Sequence, residues 1–259
     1  MFEQLLGNPV IAISLVVMIV VVIGAIANAL NTARKAALTK ATMKPIMKAA
    51  ADGDKEQVNQ LLATGEDVNV RTALGDTPLI FAASHGRTEV VDLLIDKGAD
   101  INVQGADKKT ALIQAIAGGA SETAKLLVAR GADLNIADKS GTTSLVYAAR
   151  EGDLELAQLL IERGVAASSS SLLAAVESKH TSIAGLLIEK GADVNSCTSN
   201  RETVLHYAAK SKNPEMVRLL LQNGANVNAQ GYLGHTPLIR AKVSGDKAVI
   251  ELLTQAGAK

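Results

Sequence analysis

The chain has 259 residues, a formal charge of zero, 48% hydrophobic and 20% charged residues, and one cysteine. Balanced charge with this much apolar material excludes a disordered chain, and a single cysteine excludes an intrachain disulfide framework and suits a reducing compartment. Without net positive charge, and with 2% aromatic residues, the composition gives no basis for a general nucleic-acid binder.

The first predicted element is apolar on every side. Residues 1–8 form a short head, and from Pro9 to Leu30 the chain reads PVIAISLVVMIVVVIGAIANAL without a charge. As a helix this stretch is about 33 Å long, enough to cross a hydrocarbon layer of about 30 Å. Residues 9–30 are therefore expected to be one transmembrane helix. The rival reading is a cleaved signal peptide, with Ala25-Ile26-Ala27 as the cleavage word. Against it, the head has no Lys or Arg and the apolar stretch exceeds a signal-peptide core. Glu3 alone precedes the helix, whereas Arg34, Lys35, Lys40, Lys44 and Lys48 follow it before the first acid, Asp52. The positive-inside rule then places the head outside the cell membrane and the remainder in the cytoplasm; signal-peptide cleavage would instead leave a periplasmic or secreted protein. Gly24, Ala25, Asn28 and Ala29 are small or polar positions suited to helix–helix contact, or they mark the helix end near the headgroups. Residues 31–42 read as a basic linker with some attraction to anionic lipid. The first 48 residues carry a net +4, so the remainder carries −4.

From residue 43 the chain repeats itself. TPLIFAASHGRTEVVDLLIDKGADIN is followed 33 residues later by TALIQAIAGGASETAKLLVARGADLN, with Thr77 aligned to Thr110 and Gly86 to Gly119. Leu-Leu pairs recur from Leu61–Leu62 to Leu252–Leu253, and a closing glycine recurs from Gly65 to Gly257. Seven units follow, at about 43–70, 71–102, 103–135, 136–167, 168–195, 196–228 and 229–259. Within a unit, Thr77 can cap a helix whose first turn holds Pro78. Leu79, Ala82, Ala83 and Gly86 then share one helical face. Val90, Val91, Leu93 and Leu94 supply the apolar face of a second helix, which Gly98 ends in a left-handed conformation. Lys179 and Lys212 stand where other units have the glycine that closes the first helix. Unit five is short: Gly164 to Gly191 spans 27 residues instead of 33. It should lack most of its loop and begin at Ser168–Ser171, which reads either as a tolerated surface deletion or as a notch that admits a partner's protruding element.

A unit of this length, with T-P-L at its start and G-A-D-x-N at its end, resembles the ankyrin repeat. The resemblance implies an all-α solenoid of helix-turn-helix units with β-turn fingers, roughly 70 Å long, and a concave protein-binding face. It also implies that His206, in the histidine slot of the T-P-L-H word, ties neighbouring loops together. His235 belongs to a second such word, GHTPL.

Catalytic signals are absent from the sequence. His85, His180, His206 and His235 have no Cys, Asp or Glu at metal-ligand spacing, and neither a phosphate-binding glycine loop nor a nucleophile elbow occurs. Neither an enzyme nor a cofactor or metal site is expected, and Cys197 reads as a free surface thiol. A protein partner is expected on the residue two beyond the buried leucine of each first helix, about 200° further round. That position holds Lys48, Phe81, Gln114, Tyr147, Ala174, Tyr207 and Arg240. Three of the chain's five aromatic residues lie in this row, which reads either as a recognition face, since aromatic and arginine side chains are the commonest interface anchors, or as semi-buried packing between repeats. Beside them stand Ser84, His85, Arg150 and Lys210, with Tyr232 and Leu233 in the last finger. The expected role is a membrane-anchored scaffold or adaptor binding protein on the concave face. The alternatives are an accessory subunit of a membrane enzyme or transporter, held to other transmembrane subunits through the helix, and an exported protein.

Overall fold

The structure, a computed structural model, describes residues 21–22, 24–35, 37 and 43–259. The head and most of the expected membrane span thus lie outside the described residues. Among the described residues no helix is long and apolar enough to cross a membrane. Residues 24–35 are helical, so the helix runs past Leu30 into the segment expected as a linker. Asn31-Thr32-Ala33-Arg34-Lys35 contains no glycine or proline to stop it. Gly24, Ala25, Asn28 and Ala29 all lie exposed on this helix, as do Ile26 and Leu30.

From Met43 onward, where every residue is described, the chain forms fourteen α-helices in consecutive pairs. They are α1 (Pro45–Asp52) and α2 (Lys55–Ala63), α3 (Pro78–Ser84) and α4 (Thr88–Asp96), α5 (Ala111–Ala117) and α6 (Ser121–Ala129). Next come α7 (Ser144–Glu151) and α8 (Leu154–Glu162), then α9 (Ser169–Glu177) and α10 (Thr181–Glu189). The stack closes with α11 (Val204–Lys210) and α12 (Pro214–Gln222), and α13 (Pro237–Ser244) and α14 (Lys247–Gln255). Each first helix packs on the next first helix and each second helix on the next second helix, giving two layers.

Local chemistry accounts for the helix ends. Oγ1 of Thr77, Thr110 and Thr236 accepts the amide three residues on, at 3.3–3.4 Å, and the side chains of Asp54, Asp153, Asn213 and Asp246 do the same for second helices. Lys179 and Lys212 take φ of 65° and 56°, the left-handed conformation that glycine supplies in the other units. Small side chains set the layer spacing. Ala49, Ala82, Ala115, Ala148, Ala175, Ala208 and Ala241 occupy one register position and have no exposed surface, so successive first helices approach closely. Leu94, Leu127, Leu160, Leu187, Leu220 and Leu253 form the corresponding row of the second layer, also fully buried.

The fingers are the loops between units. Residues 97–110, 130–143 and 190–203 are of one length, whereas α8 and α9 are joined by residues 163–168 alone. Finger five is missing. In its place Ser168 caps α9 by accepting the Ser171 amide at 3.2 Å, while Ser171 Oγ accepts the Ser168 amide at 3.0 Å.

The surviving fingers are of two kinds, chosen by one residue. In finger two Thr72 Oγ1 accepts the amides of Leu74 and Asp76, and in finger four Asp138 Oδ1 accepts those of Ser140 and Thr142. Fingers three and seven have Gly105 and Gly231 at that position, with no side chain to hold the turn. There the tip carries two successive left-handed residues, Asp107–Lys108 and Leu233–Gly234.

Candidate functional site

The row expected to meet a partner is not uniform. Phe81, Gln114 and Tyr207 are half-buried, Ala174 is buried, and Lys48 is exposed. Tyr147 is only 7% exposed and so presents little surface of its own. Its hydroxyl donates to Asp138 Oδ2 at 2.8 Å, which turns the ring into the base of finger four. Lys109 Nζ lies 5.1 Å from the ring centroid and Arg150 Cζ 5.4 Å from it. The tyrosine is thus the floor beneath two cations, an arrangement that holds them in place by cation–π attraction.

Charge and burial tune this cluster. Partial burial works against the charge on Asp138. Hydrogen bonds from the Thr142 amide, the Tyr147 hydroxyl and the Ser140 amide, with nearby Lys109, outweigh it and hold the carboxyl below its usual range. Burial, then the hydrogen bond to Asp138, pushes the Tyr147 hydroxyl up to about 12. Asp138 has no place in the sequence-based row. The available signal was its position at the head of a finger, where Thr72 performs the same turn-holding task.

Beside the first-helix row, Ser84 Oγ donates to the Phe81 carbonyl at 2.9 Å, and exposed His85 has its Nδ1 2.9 Å from the same oxygen. Lys210 is exposed at the end of α11. Arg240 is paired with Glu202 and is mostly withdrawn from solvent, so it braces finger six against α13.

His206 is fully buried, and its bonds fix its tautomer. Nδ1 lies 3.0 Å from the Thr203 amide and accepts from it, so Nε2 carries the proton and donates to the His235 carbonyl at 3.0 Å. Burial lowers the imidazole pKa. The histidine does tie finger six to finger seven. His180 makes a comparable tie that the sequence reading did not identify: Nε2 lies 3.1 Å from the Arg150 carbonyl in the preceding unit. Arg87 Nε, at the same register position, donates to the Ala51 carbonyl at 2.8 Å.

Concavities line the fingers. A groove of about 310 Å³ runs between fingers six and seven, bordered by Asn200, Arg201, Gln230, Tyr232 and Leu233. A smaller hollow of about 110 Å³ occupies the place of the missing finger, between Ser169, Ser170 and Leu173 of α9 and Ser196, Cys197 and Thr198 of finger six. Cys197 is free and exposed. Tyr232 is 59% and Leu233 76% exposed, the largest apolar projections of the finger edge. Among the described residues no group of three His, Cys, Asp or Glu side chains could hold a metal ion.

The family profile described as Ankyrin repeats (3 copies) matches residues 18–105, 46–138, 94–171 and 172–259. Among solved structures, the human ASB11 ankyrin repeat domain aligns with a TM-score of 0.73 at 24% identity, covering 84% of this chain and 99% of that one. The ankyrin repeat domain of Bcl-3, a member of the IkappaB protein family, aligns with a TM-score of 0.68 at 27% identity, covering 82% of this chain and 98% of that one. No curated protein matches the sequence.

Proposed function

The chain belongs to the ankyrin-repeat family, and from that premise we propose that it is a scaffold or adaptor that holds a protein partner over its first helices and fingers, at a membrane. Ankyrin repeats are protein-interaction domains, which sets the general class. The observation that carries the specific surface is the pair of cations fixed over Tyr147. Arg150 is exposed there, flanked along the row by half-buried Phe81 and Tyr207. Pre-ordered cationic and aromatic side chains lose little entropy on binding, which makes this stretch the best anchor on the molecule. The mechanism is recruitment without chemistry: tethering raises the partner's local concentration.

The test is crosslinking and affinity purification of the full chain with Phe81→Ala, Arg150→Ala and Tyr207→Ala introduced singly. At least one substitution should weaken partner capture about tenfold with the melting temperature preserved. Capture unchanged by all three, in folded protein, would refute the proposed surface.

Anchoring is proposed from residues 9–30, whose uncharged length suits a hydrocarbon span, with the basic flank on the cytoplasmic side. Retention of the chain in membranes washed at alkaline pH, with the repeats shielded from external protease, supports this arrangement. Release by the wash removes the anchor, and digestion from outside places the repeats in the periplasm or beyond. A second reading, an accessory subunit of a membrane complex, is favoured by the exposed small-residue positions Gly24, Ala25, Asn28 and Ala29. Mild-detergent purification would then yield a stoichiometric complex.

A further inference from the structure

We propose that the tips of the fingers form a second membrane contact, a cationic edge with an aromatic and aliphatic end that lies on anionic lipid; the proposal rests on the anchored reading given above. The first observation is where the N-terminal helix meets the stack. Lys35, just beyond the apolar segment, pairs with Asp107 at the tip of finger three at 2.5 Å. The end of the proposed anchor therefore touches the finger edge rather than the second-helix layer, which brings the tips to the level of the lipid headgroups.

The second observation is the charge of that edge. Lys108, Lys139 and Arg201 are exposed at the tips of fingers three, four and six, and none of them is in an ion pair among the described residues. The acids close to them are engaged elsewhere. Asp107 is paired with Lys35, Asp138 accepts two finger amides and the Tyr147 hydroxyl, and Glu202 is paired with Arg240. Asp76 is buried and accepts the Ala106 amide. The second-helix layer carries exposed Glu56, Glu89, Glu122, Glu155 and Glu215 at the starts of α2, α4, α6, α8 and α12; there Glu89 is paired with Lys55, and Glu122 and Glu155 with Lys125, so acid and cation offset one another. A chain whose repeat body is acidic overall has therefore gathered unpaired cations at its finger tips. An anionic surface attracts that edge more than it attracts the second layer, whose lysines are held by glutamates.

The third observation is finger seven. Tyr232 and Leu233 project at its tip, 59% and 76% exposed. Leu233 is held at φ 56°, a conformation a leucine adopts only at a cost. An exposed tyrosine beside an exposed aliphatic residue is the pair that partitions into a headgroup region. Charge at fingers three, four and six and apolar bulk at finger seven would seat the edge along its length.

The single cysteine supplies the experiment. In a Cys197→Ser background, Leu233→Cys and the control Glu155→Cys each carry a fluorophore on the full chain. The chain is placed in nanodiscs of phosphatidylcholine alone or of equal parts phosphatidylcholine and phosphatidylglycerol, with nitroxide on the headgroups. The expected result is strong quenching at position 233 and little at 155 in the anionic discs, weakened by high salt and weaker in the neutral discs. Each cation near an anionic surface favours contact about fivefold. Reversal of Lys108, Lys139 and Arg201 to Glu should therefore lower the docked population on the order of a hundredfold, with the chain still in the disc. Equal quenching at the two positions, or quenching unchanged by the reversal, overturns the docked edge and leaves the anchor standing. A chain that leaves the discs on an alkaline wash overturns the anchor, and the docking with it.

Discussion

At Gly231 the backbone of finger seven passes so close to finger six that a β-carbon would stand 2.9 Å from Glu202 Cγ and 3.2 Å from His206 Nε2. Its φ of −88° is open to any residue, so the glycine is there for the approach and not for its backbone freedom. Gly231→Ala should cost about 1–3 kcal/mol, read as a lower urea midpoint at unchanged slope. His206, which the same approach covers, makes stability depend on pH. Burial depresses its pKa below the ordinary value of about 6.5. The unfolded chain therefore binds the proton first as pH falls, and the stabilising contribution is present above about pH 6.5 and is lost below it. Protonation would also set a second N–H against the Thr203 amide. A titration of melting temperature from neutral pH downward should show this loss in the native protein and a flatter profile in His206→Gln.

At the scale of the element, α7 is the first helix whose inward and outward faces are joined by one side chain. Tyr147 packs with the buried face, yet its hydroxyl reaches Asp138 and its ring carries Lys109 and Arg150. Removal of the hydroxyl by Tyr147→Phe should cost about 1 kcal/mol near neutral pH. A phenol held up to about 12 keeps its proton in the folded state after the unfolded chain has lost it. Native stability should therefore decline from about pH 10, the ordinary tyrosine value, through about 12, and this tyrosine's share of the decline should vanish in Tyr147→Phe. Chemical denaturation on both sides of pH 10 checks both effects. Position alone placed Tyr147 in the row facing the concave side and left its burial open, because a helical wheel gives a direction and not a depth. The depth comes from finger four, which folds over the ring.

Across the whole molecule, asparagine side chains stitch one unit to the next. Asn195 Nδ2 donates to the Gly224 carbonyl at 2.9 Å and its Oδ1 accepts the Asn226 amide at 2.8 Å; Asn69 and Asn228 make the same two bonds. Asn102 accepts the Asp133 amide at 2.8 Å. Asn135 occupies the same register, but its counterparts Gly164 and Ala166 lie in the short connection 163–168, and among the described residues its side chain makes no such bond. Asn195→Ala should therefore cost about 1–2 kcal/mol, whereas Asn135→Ala should change stability by no more than about 0.5 kcal/mol. Parallel thermal melts of the two variants decide the matter. In a solenoid, stability is a sum over units and nearest-neighbour interfaces. Loss of finger five thus weakens the stitching locally without breaking the two helical layers, which run through it uninterrupted.

The sequence by itself determined the period, the paired helices, their caps, the buried alanine and leucine rows and the absence of finger five. Each of these follows from local spacing or from a residue's own backbone preference, and a period of 33 leaves little freedom in how units stack. Of the cluster around Tyr147, the sequence row held Tyr147 and Arg150 but neither Asp138 nor Lys109. Only the tertiary structure decided which members stand free and which are consumed by the fold. Tyr147 went to Asp138, Arg240 to Glu202, and Lys35, from outside the repeats, to Asp107. Those pairings join residues from 9 to 72 positions apart. Two of the three reach outside their own unit, so no single repeat contains that information.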